Sequence, residues 1–228
     1  MPRAPSPREL QPRRRPRRRS GKQIVTALLD AAQEQLIDKG LAGLTTNAIA
    51  RRAGVSIGSL YQYFSNKEAI VVELTRRVNA NLEKRMLAAG ERASTPRAQI
   101  EAILASYADP RDPDLKVRRA LLLEIPRSWV ETTYREVEER LVAWIAIRAT
   151  QLWPNRSPRQ LEHEVIVRFF AVRGAVQAAL LHQPELLQKR WFIVHLNHIA
   201  AGEGPNEPAR AAADAPIQAR DSDADDLQ

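Results

Sequence analysis

Cysteine is absent from this 228-residue chain, which removes disulfides, thiolate nucleophiles and cysteine-ligated zinc together and fits a reducing cytoplasm. Glycine is scarce, at nine residues, and none is arranged as a phosphate-cradling loop or as the G-x-S-x-G turn that exposes a hydrolase serine. Long apolar runs are missing too: the longest uncharged one, Leu141 to Ile147, has seven residues, against the ~20 needed to cross a bilayer. The first residues carry arginines but no apolar stretch, so neither a secretory signal nor a membrane anchor is expected, and the expected location is cytoplasmic. No segment alternates with a period of two, and no internal repeat is present. His195 and His198 stand three residues apart, but their neighbours Leu196 and Ile199 favour packing or hydrogen bonding over a metal. Glu162 and Glu164 fall in the first turns of an expected helix, where acids are favoured electrostatically. No catalytic residue, metal or cofactor is expected.

What is present is a helical pattern and a lopsided charge. Hydrophobic residues make up 44% of the chain, enough for one sizeable core or two modules. The formal net charge is +8, but residues 1–19 hold eight arginines against one glutamate, and residues 203–228 hold seven acids against two arginines. The basic segment has two readings: a proline-broken, disordered, solvated tail, or an arm that neutralises phosphates or enters a minor groove. The acidic segment reads as a disordered tail.

Start and stop signals divide the middle into about nine helices, an all-α fold. Ser20 with Gln23 caps the first, which turns Ile24, Leu28, Ala31, Ala32 and Leu36 inward and ends at Gly40. Thr45 caps a second near 46–53, Gly54 permits a sharp turn, and Ser56 caps a third near 57–63 whose Leu60 and Phe64 share a face. Ser65 with Glu68 forms a capping box for a fourth, 67–89, with Ile70, Leu74, Val78 and Leu82 at four-residue spacing and Gly90 at its end. Later starts fall at Thr95-Pro96, Asp112-Pro113, Ser128 with Glu131, Ser157-Pro158 and near Pro184.

Two short helices joined by a tight turn form a helix-turn-helix, whose second helix enters the DNA major groove. On that helix Ser59, Tyr61, Gln62 and Tyr63 lie off the Leu60/Phe64 face. Gln62 suits a bidentate contact to adenine, and the tyrosine hydroxyls and Lys67 suit phosphates. Either tyrosine has a second reading as half-buried packing with a wet hydroxyl. Ile57 is in conflict: its spacing places it with Leu60 in the core. Arg51 and Arg52 fit the solvated back of the second helix.

Thr46, Ile49, Ala50, Ala53-Gly54-Val55-Ser56, Gly58, Leu60-Tyr61, Tyr63-Phe64 and Lys67 resemble the DNA-binding head of the TetR (tetracycline-repressor) family of bacterial regulators, over about Lys22 to Leu74. The resemblance implies phosphate contacts from Thr46 and Tyr61, a reading surface of Asn47 and of Ile57, Gly58, Ser59, Tyr61, Gln62 and Tyr63, and a phosphate clamp at Lys67. It turns Ile57 outward, toward a thymine methyl. It implies a two-part layout: a three-helix head and a larger body of about six helices, dimerising through 158–182 and 184–201. The expected divisions are a disordered arginine-rich arm, 1–19; a helix-turn-helix domain, 20–66; a ligand-binding and dimerisation body, 67–202; and a disordered acidic tail, 203–228.

The body holds the ingredients of a pocket in Tyr107, Trp129, Tyr134, Trp144, Phe169 and Phe170, with Arg148, Arg168, Arg173 and Gln177 near them in sequence. Each aromatic is also readable as ordinary core. Arg173 shares a partly apolar face with Ile166, Phe170 and Gln177, and a buried guanidinium needs a partner: a ligand anion, Glu138, or another subunit. The expected function is a homodimeric regulator that binds a palindromic double-stranded DNA operator and releases it when a small, largely apolar effector, with or without an anionic group, enters the body. Three rivals stand beside repression: an activator of the same fold, an architectural or RNA-binding protein acting through the arginine arm, and an enzyme in the helical body.

Overall fold

The computed structural model describes residues 5–201 except 7 and 17, and among these it contains nine α-helices and no strand. They are α1 Arg19–Gly43, α2 Thr46–Arg52, α3 Ile57–Tyr63, α4 Lys67–Glu91, α5 Pro96–Tyr107, α6 Leu115–Glu124, α7 Arg127–Leu152, α8 Pro158–His182 and α9 Arg190–Ala201, with a 3-10 turn at Pro184–Gln188.

Side-chain caps set most of the starts. Thr45 accepts from the Ala48 amide, Ser56 from Ser59, Thr95 from Ala98 and Ser157 from Gln160, each worth ~1 kcal/mol. Several expected boundaries need correction. α1 begins at Arg19 with no side-chain cap, so Ser20 is its second residue rather than its cap. α4 is capped by Asn66, whose Oδ1 accepts from the Ala69 amide at 2.7 Å, while the Ser65 hydroxyl donates to the Glu9 carbonyl at 3.2 Å. α6 starts at Leu115, after a turn in which the Leu115 amide donates to the Asp112 carbonyl, and α7 starts at Arg127. The expected last helix is split, because Pro184 opens a 3-10 turn before α9. Gly40, at φ 66°, breaks α1 where the sequence places its end, and Gly54, at φ 67°, makes the turn between α2 and α3.

The head core joins α1 to α4: Leu28, Leu36, Leu44, Ile49, Leu60, Phe64, Ile70 and Leu74 are all within 1% of full burial. Each such side chain stabilises the fold by ~1.5–3 kcal/mol, which is how helices of seven residues persist although they would melt in isolation. The same cluster extends to Val117 and Leu121 of α6, Ile125 just after it, and Val130 of α7. α4, about 37 Å long at ~1.5 Å per residue, runs from the head into the body, where Leu82 and Met86 join Ile103 and Leu141.

The body leaves apolar surface uncovered. Val167 is 68% exposed, Phe170 46%, Trp191 43% and Ile199 41%. By length and composition α8 is also apolar enough to cross a membrane, yet only 28% of its most apolar window is buried. It packs on α7, α9 and the 3-10 turn and carries Arg168 and Arg173 in ion pairs, so its outward apolar face is left without a partner in a single chain.

The arm departs from its expected disorder. The Glu9 and Leu10 amides donate to the Ser6 carbonyl, Leu10 is 9% exposed within the head core, and the Arg13 amide donates to the Tyr63 carbonyl at 2.8 Å. One well-placed leucine and three hydrogen bonds to the head outweigh the solvation of the flanking arginines. The acidic tail, 203–228, lies outside the described residues.

Candidate nucleic-acid interface and effector cavity

α3 presents a mixed outer face on a fixed base. Leu60 and Phe64 anchor it, while Ile57, Gly58, Tyr61 and Gln62 are exposed. Ile57, at 38% exposure, therefore points outward; with only seven residues, α3 needs no third anchor. Thr46 and Tyr61 meet hydroxyl to hydroxyl at 3.1 Å, tying the start of α2 to the outer face of α3, and Asn47 is exposed beside them. Ser59 is half-buried, with its hydroxyl 2.8 Å from that of the cap Ser56.

Two residues of the expected surface are used internally. Tyr63 is 8% exposed, with its hydroxyl against Gly21, so the packing reading applies to it and not to Tyr61. The Lys67 ammonium donates to the Leu41 carbonyl at 3.1 Å, tying the start of α4 to the end of α1. Arg52 pairs with Glu34, and Arg51 is exposed.

The same loop meets the body. The Leu41 amide donates to the Glu124 carboxylate at 2.5 Å, so the last residue of α6 grips the turn that Lys67 also holds. A side chain at Gly40 would strike that carboxylate. On the other side of the head, Arg77 of α4 pairs with Asp30 at 2.6 Å and bonds Gln33 at 2.9 Å.

The body holds a cavity between α4, α5, α6, α7, α8 and α9, of about 120 Å3 within a hollow of about 1160 Å3 that includes open solvent. Of the expected pocket residues, Tyr107, Tyr134, Arg173 and Gln177 line it, as do Phe169 and Arg168. Three do not. Trp129 packs on the head core, Trp144 lies against Gly90 with the Arg148 guanidinium stacked 3.5 Å from its ring centre, and Phe170 faces outward. Glu138, foreseen as a partner of Arg173, lines the cavity too, as do Trp153, Arg118 and Asn79, which sequence reading missed. Asn79 had a legible signal, an amide on the Val78/Leu82 face of α4.

Its polar groups are mostly spoken for. Arg173 pairs with Glu138, one of the three partners open from sequence. Arg118 pairs with Asp112 at 2.8 Å and donates to the Tyr107 carbonyl, and Arg85 bonds Asp112 and Asp114 at 2.7 and 3.0 Å. Burial pushes the Tyr107 and Tyr134 hydroxyls above their usual range; for Tyr107 the Arg118 guanidinium, and for Tyr134 that of Arg127, partly opposes it. The Asn79 amide nitrogen is buried against the cavity with no hydrogen-bond partner, which costs ~1–3 kcal/mol unless something accepts from it. Among the described residues no cluster of three or more metal-capable side chains occurs; His195 and His198 stack at 6.2 Å, and His195 Nδ1 lies 2.8 Å from the Trp191 carbonyl.

Residues 28–74 match the family described as bacterial regulatory proteins, tetR family. The HTH-type transcriptional regulator BetI of Rhizobium meliloti strain 1021 is 36% identical over 78 residues, 34% of this chain and 38% of that protein. BetI of Burkholderia mallei strain NCTC 10229 is 29% identical over 115 residues, 49% of this chain and 57% of that protein. The chain thus matches between about two fifths and three fifths of the length of these relatives. Among solved structures, a TetR-family transcriptional regulator from Streptomyces coelicolor superposes with a TM-score of 0.63 at 18% identity, over 79% of this chain and 89% of the other. The regulator FadR from Bacillus subtilis, solved in complex with stearoyl-CoA, does so with a TM-score of 0.58 at 17% identity, over 77% and 95%. Those structures share the head-and-body fold, and the sequence match to the tetR family of bacterial regulatory proteins lies in the head, over residues 28–74.

Proposed function

We propose that this protein is a dimeric transcription regulator, most simply a repressor, acting in the cytoplasm. Its two α3 helices read successive major grooves of a palindromic operator, and a small apolar effector in the body lowers operator affinity. The observation that carries the DNA half is the outer face of α3: Ile57, Gly58, Tyr61 and Gln62 exposed together on buried Leu60 and Phe64, with Thr46 bonded to Tyr61 and Asn47 alongside. That face offers an amide for adenine, a methyl-sized apolar contact and hydroxyls for phosphate. A built reading face favours sequence-specific binding over the architectural or RNA-binding alternative, and no cavity residue outside an ion pair or hydrogen bond offers a ready acid and base for an enzyme.

The dimer reading rests on the uncovered Val167, Phe170, Trp191 and Ile199 of α8 and α9. A two-fold pairing of these helices would bury them and set the half-sites about one helical turn apart, or a multiple of it. The effector reading rests on the cavity and the unpartnered Asn79 amide. Because Glu138 already neutralises Arg173, the effector needs a hydrogen-bond acceptor more than a charge. That FadR of the same fold was solved with stearoyl-CoA supports a body of this kind housing an apolar chain.

Coupling follows from the elements that serve both ends. α6 lines the cavity with Arg118, Leu121 and Leu122 and grips Leu41 through Glu124. α4 lines it with Asn79 and starts at Lys67 beneath the head. An effector that binds better when these helices are displaced shifts the heads, and coupling of ~1–3 kcal/mol changes operator affinity about 5- to 150-fold. The test is selection of duplexes from a randomised pool, followed by footprinting with wild type and Gln62→Ala. A palindromic consensus, with preference altered at one or two base pairs of each half-site in the variant, is expected. Failure to enrich any sequence overturns the reading.

A further inference from the structure

The basic arm is latched to the recognition helix. Leu10 plugs the head core. The Glu9 carbonyl accepts from the Ser65 hydroxyl at 3.2 Å, the Arg13 amide donates to the Tyr63 carbonyl at 2.8 Å, and Pro16 lies against Gly21 beside the Tyr63 hydroxyl. The Arg13 guanidinium comes within 3.5 Å of the Tyr61 carbonyl. Tyr61 and Tyr63 are among the last residues of α3, whose carbonyls have no partner within the helix. The arm therefore satisfies the end of α3 with a backbone donor and places a cation where the helix dipole is negative.

Fixing Arg13 and Pro16 also fixes what lies between them. Arg14 and Arg15 are exposed, held within two residues of the contact to Tyr63, at ~3.8 Å of chain per residue. Neither has an acidic partner among the described residues, and the Arg13 guanidinium beside them reaches the carbonyl of Tyr61, whose side chain lies on the outer face of α3. A loose arginine tail raises affinity for all DNA alike; a latched pair of arginines beside the reading helix has one register relative to the groove.

We infer that Arg14 and Arg15 form a second, fixed DNA contact, to backbone phosphates flanking the base pairs read by α3, with Leu10, Ser65 and the Arg13 amide as its latch. The inference rests on the head binding duplex DNA. The probe is a duplex recovered by selection with the full-length protein, studied between 50 and 200 mM salt by titration and hydroxyl-radical footprinting.

Arg14→Ala with Arg15→Ala is expected to lower the salt slope by ~1.8, which shrinks the affinity change over that range about 12-fold, and to expose the flanking sugars. Leu10→Ser and Ser65→Ala keep every arginine. They are expected to lose the flanking protection and part of the operator affinity while still reading the operator through α3. Ser65→Ala, which removes no core side chain, guards against a misfolded Leu10 variant, and thermal melts check both. Latch variants that footprint like wild type would make the arm a diffuse polyelectrolyte and overturn the inference, as would an unchanged slope in the double variant. If selection with wild type yields no operator, the head reading fails instead, and the two failures are thereby distinguished.

Discussion

The head and the body solve opposite problems with the same secondary structure. The head buries its anchors fully, from Leu28 to Leu74, packs Tyr63 inward and bonds Lys67 to Leu41, while the outer face of α3 and Asn47 near the start of α2 stay exposed. The body keeps a cavity beside Tyr107 and Asn79 and leaves Val167 and Phe170 on its surface. A reading head must hold side chains to a fraction of an ångström, so it spends its apolar residues on rigidity. A body that senses an effector, as proposed, must have two arrangements close in energy, which incomplete packing and an unpartnered amide favour.

The sharpest way to break the comparison is at the uncovered surface. Val167→Asp with Phe170→Asp should leave each chain folded, since neither side chain is buried, yet give a monomer by sedimentation. Losing the linked second half-site should then weaken operator binding by about two orders of magnitude or more. A folded dimer would mean that these residues face solvent for another reason.

The next contrast is between two leucines. Leu60, fully buried under α3, should lose ~2–5 kcal/mol on truncation to Ala. Leu122 faces the cavity and is half-buried, so the space opened by Leu122→Ala merges with space already present and should cost under about 1.5 kcal/mol. Equal losses in chemical denaturation would show the body to be packed as tightly as the head.

Asn79 sharpens it further. Asn79→Leu replaces a buried amide nitrogen without a partner by hydrocarbon of similar size, so the effector-free protein should be as stable as wild type or ~1 kcal/mol more so. The effector response should weaken because its acceptor has lost its donor. Glu124→Gln should act at the other end of α6: effector binding is kept, but the link to Leu41 loses its charge and operator release becomes partial. Calorimetry for binding and gel shift for release separate the two variants.

The head was legible because its signals are local. Thr45, Gly54 and Ser56 act within three residues of themselves, and each does what its chemistry dictates. Ser65 failed as a cap because Asn66 takes that position, while the Ser65 hydroxyl donates to Glu9, 56 positions earlier, and no window of sequence shows that contact. The arm was misjudged for the same reason: composition weighs eight arginines, while one leucine finding a distant core decides. In the body, helical existence was legible and facing was not. Trp129, Trp144 and Phe170 are as aromatic as Phe169 and Trp153, but small turns of α7 and α8 send them to the head core, to Gly90 and outward. Apolar residues on several faces of α8 leave its inward side undetermined until its neighbours are placed.

The smallest expected effect at neutral pH is also specific to the body. Burial raises the Tyr107 hydroxyl above its ordinary value of 10.0, and Tyr134 likewise. The folded state therefore holds these protons more tightly than the unfolded chain does. The stability that follows is fully present below about pH 10 and is lost as pH rises through the folded value, because the unfolded chain ionises first. Each tyrosine contributes a slope of up to ~1.4 kcal/mol per pH unit within that window. Tyr107→Phe should remove its share of the alkaline slope and cost ~1 kcal/mol or less at pH 7, where only the hydroxyl's hydrogen bonding is lost. Denaturant titrations of wild type and variant from pH 8 to 11 read the difference directly. An alkaline slope unchanged by Tyr107→Phe would mean that the hydroxyl reaches water in the folded protein, and that the cavity beside it is wet rather than apolar.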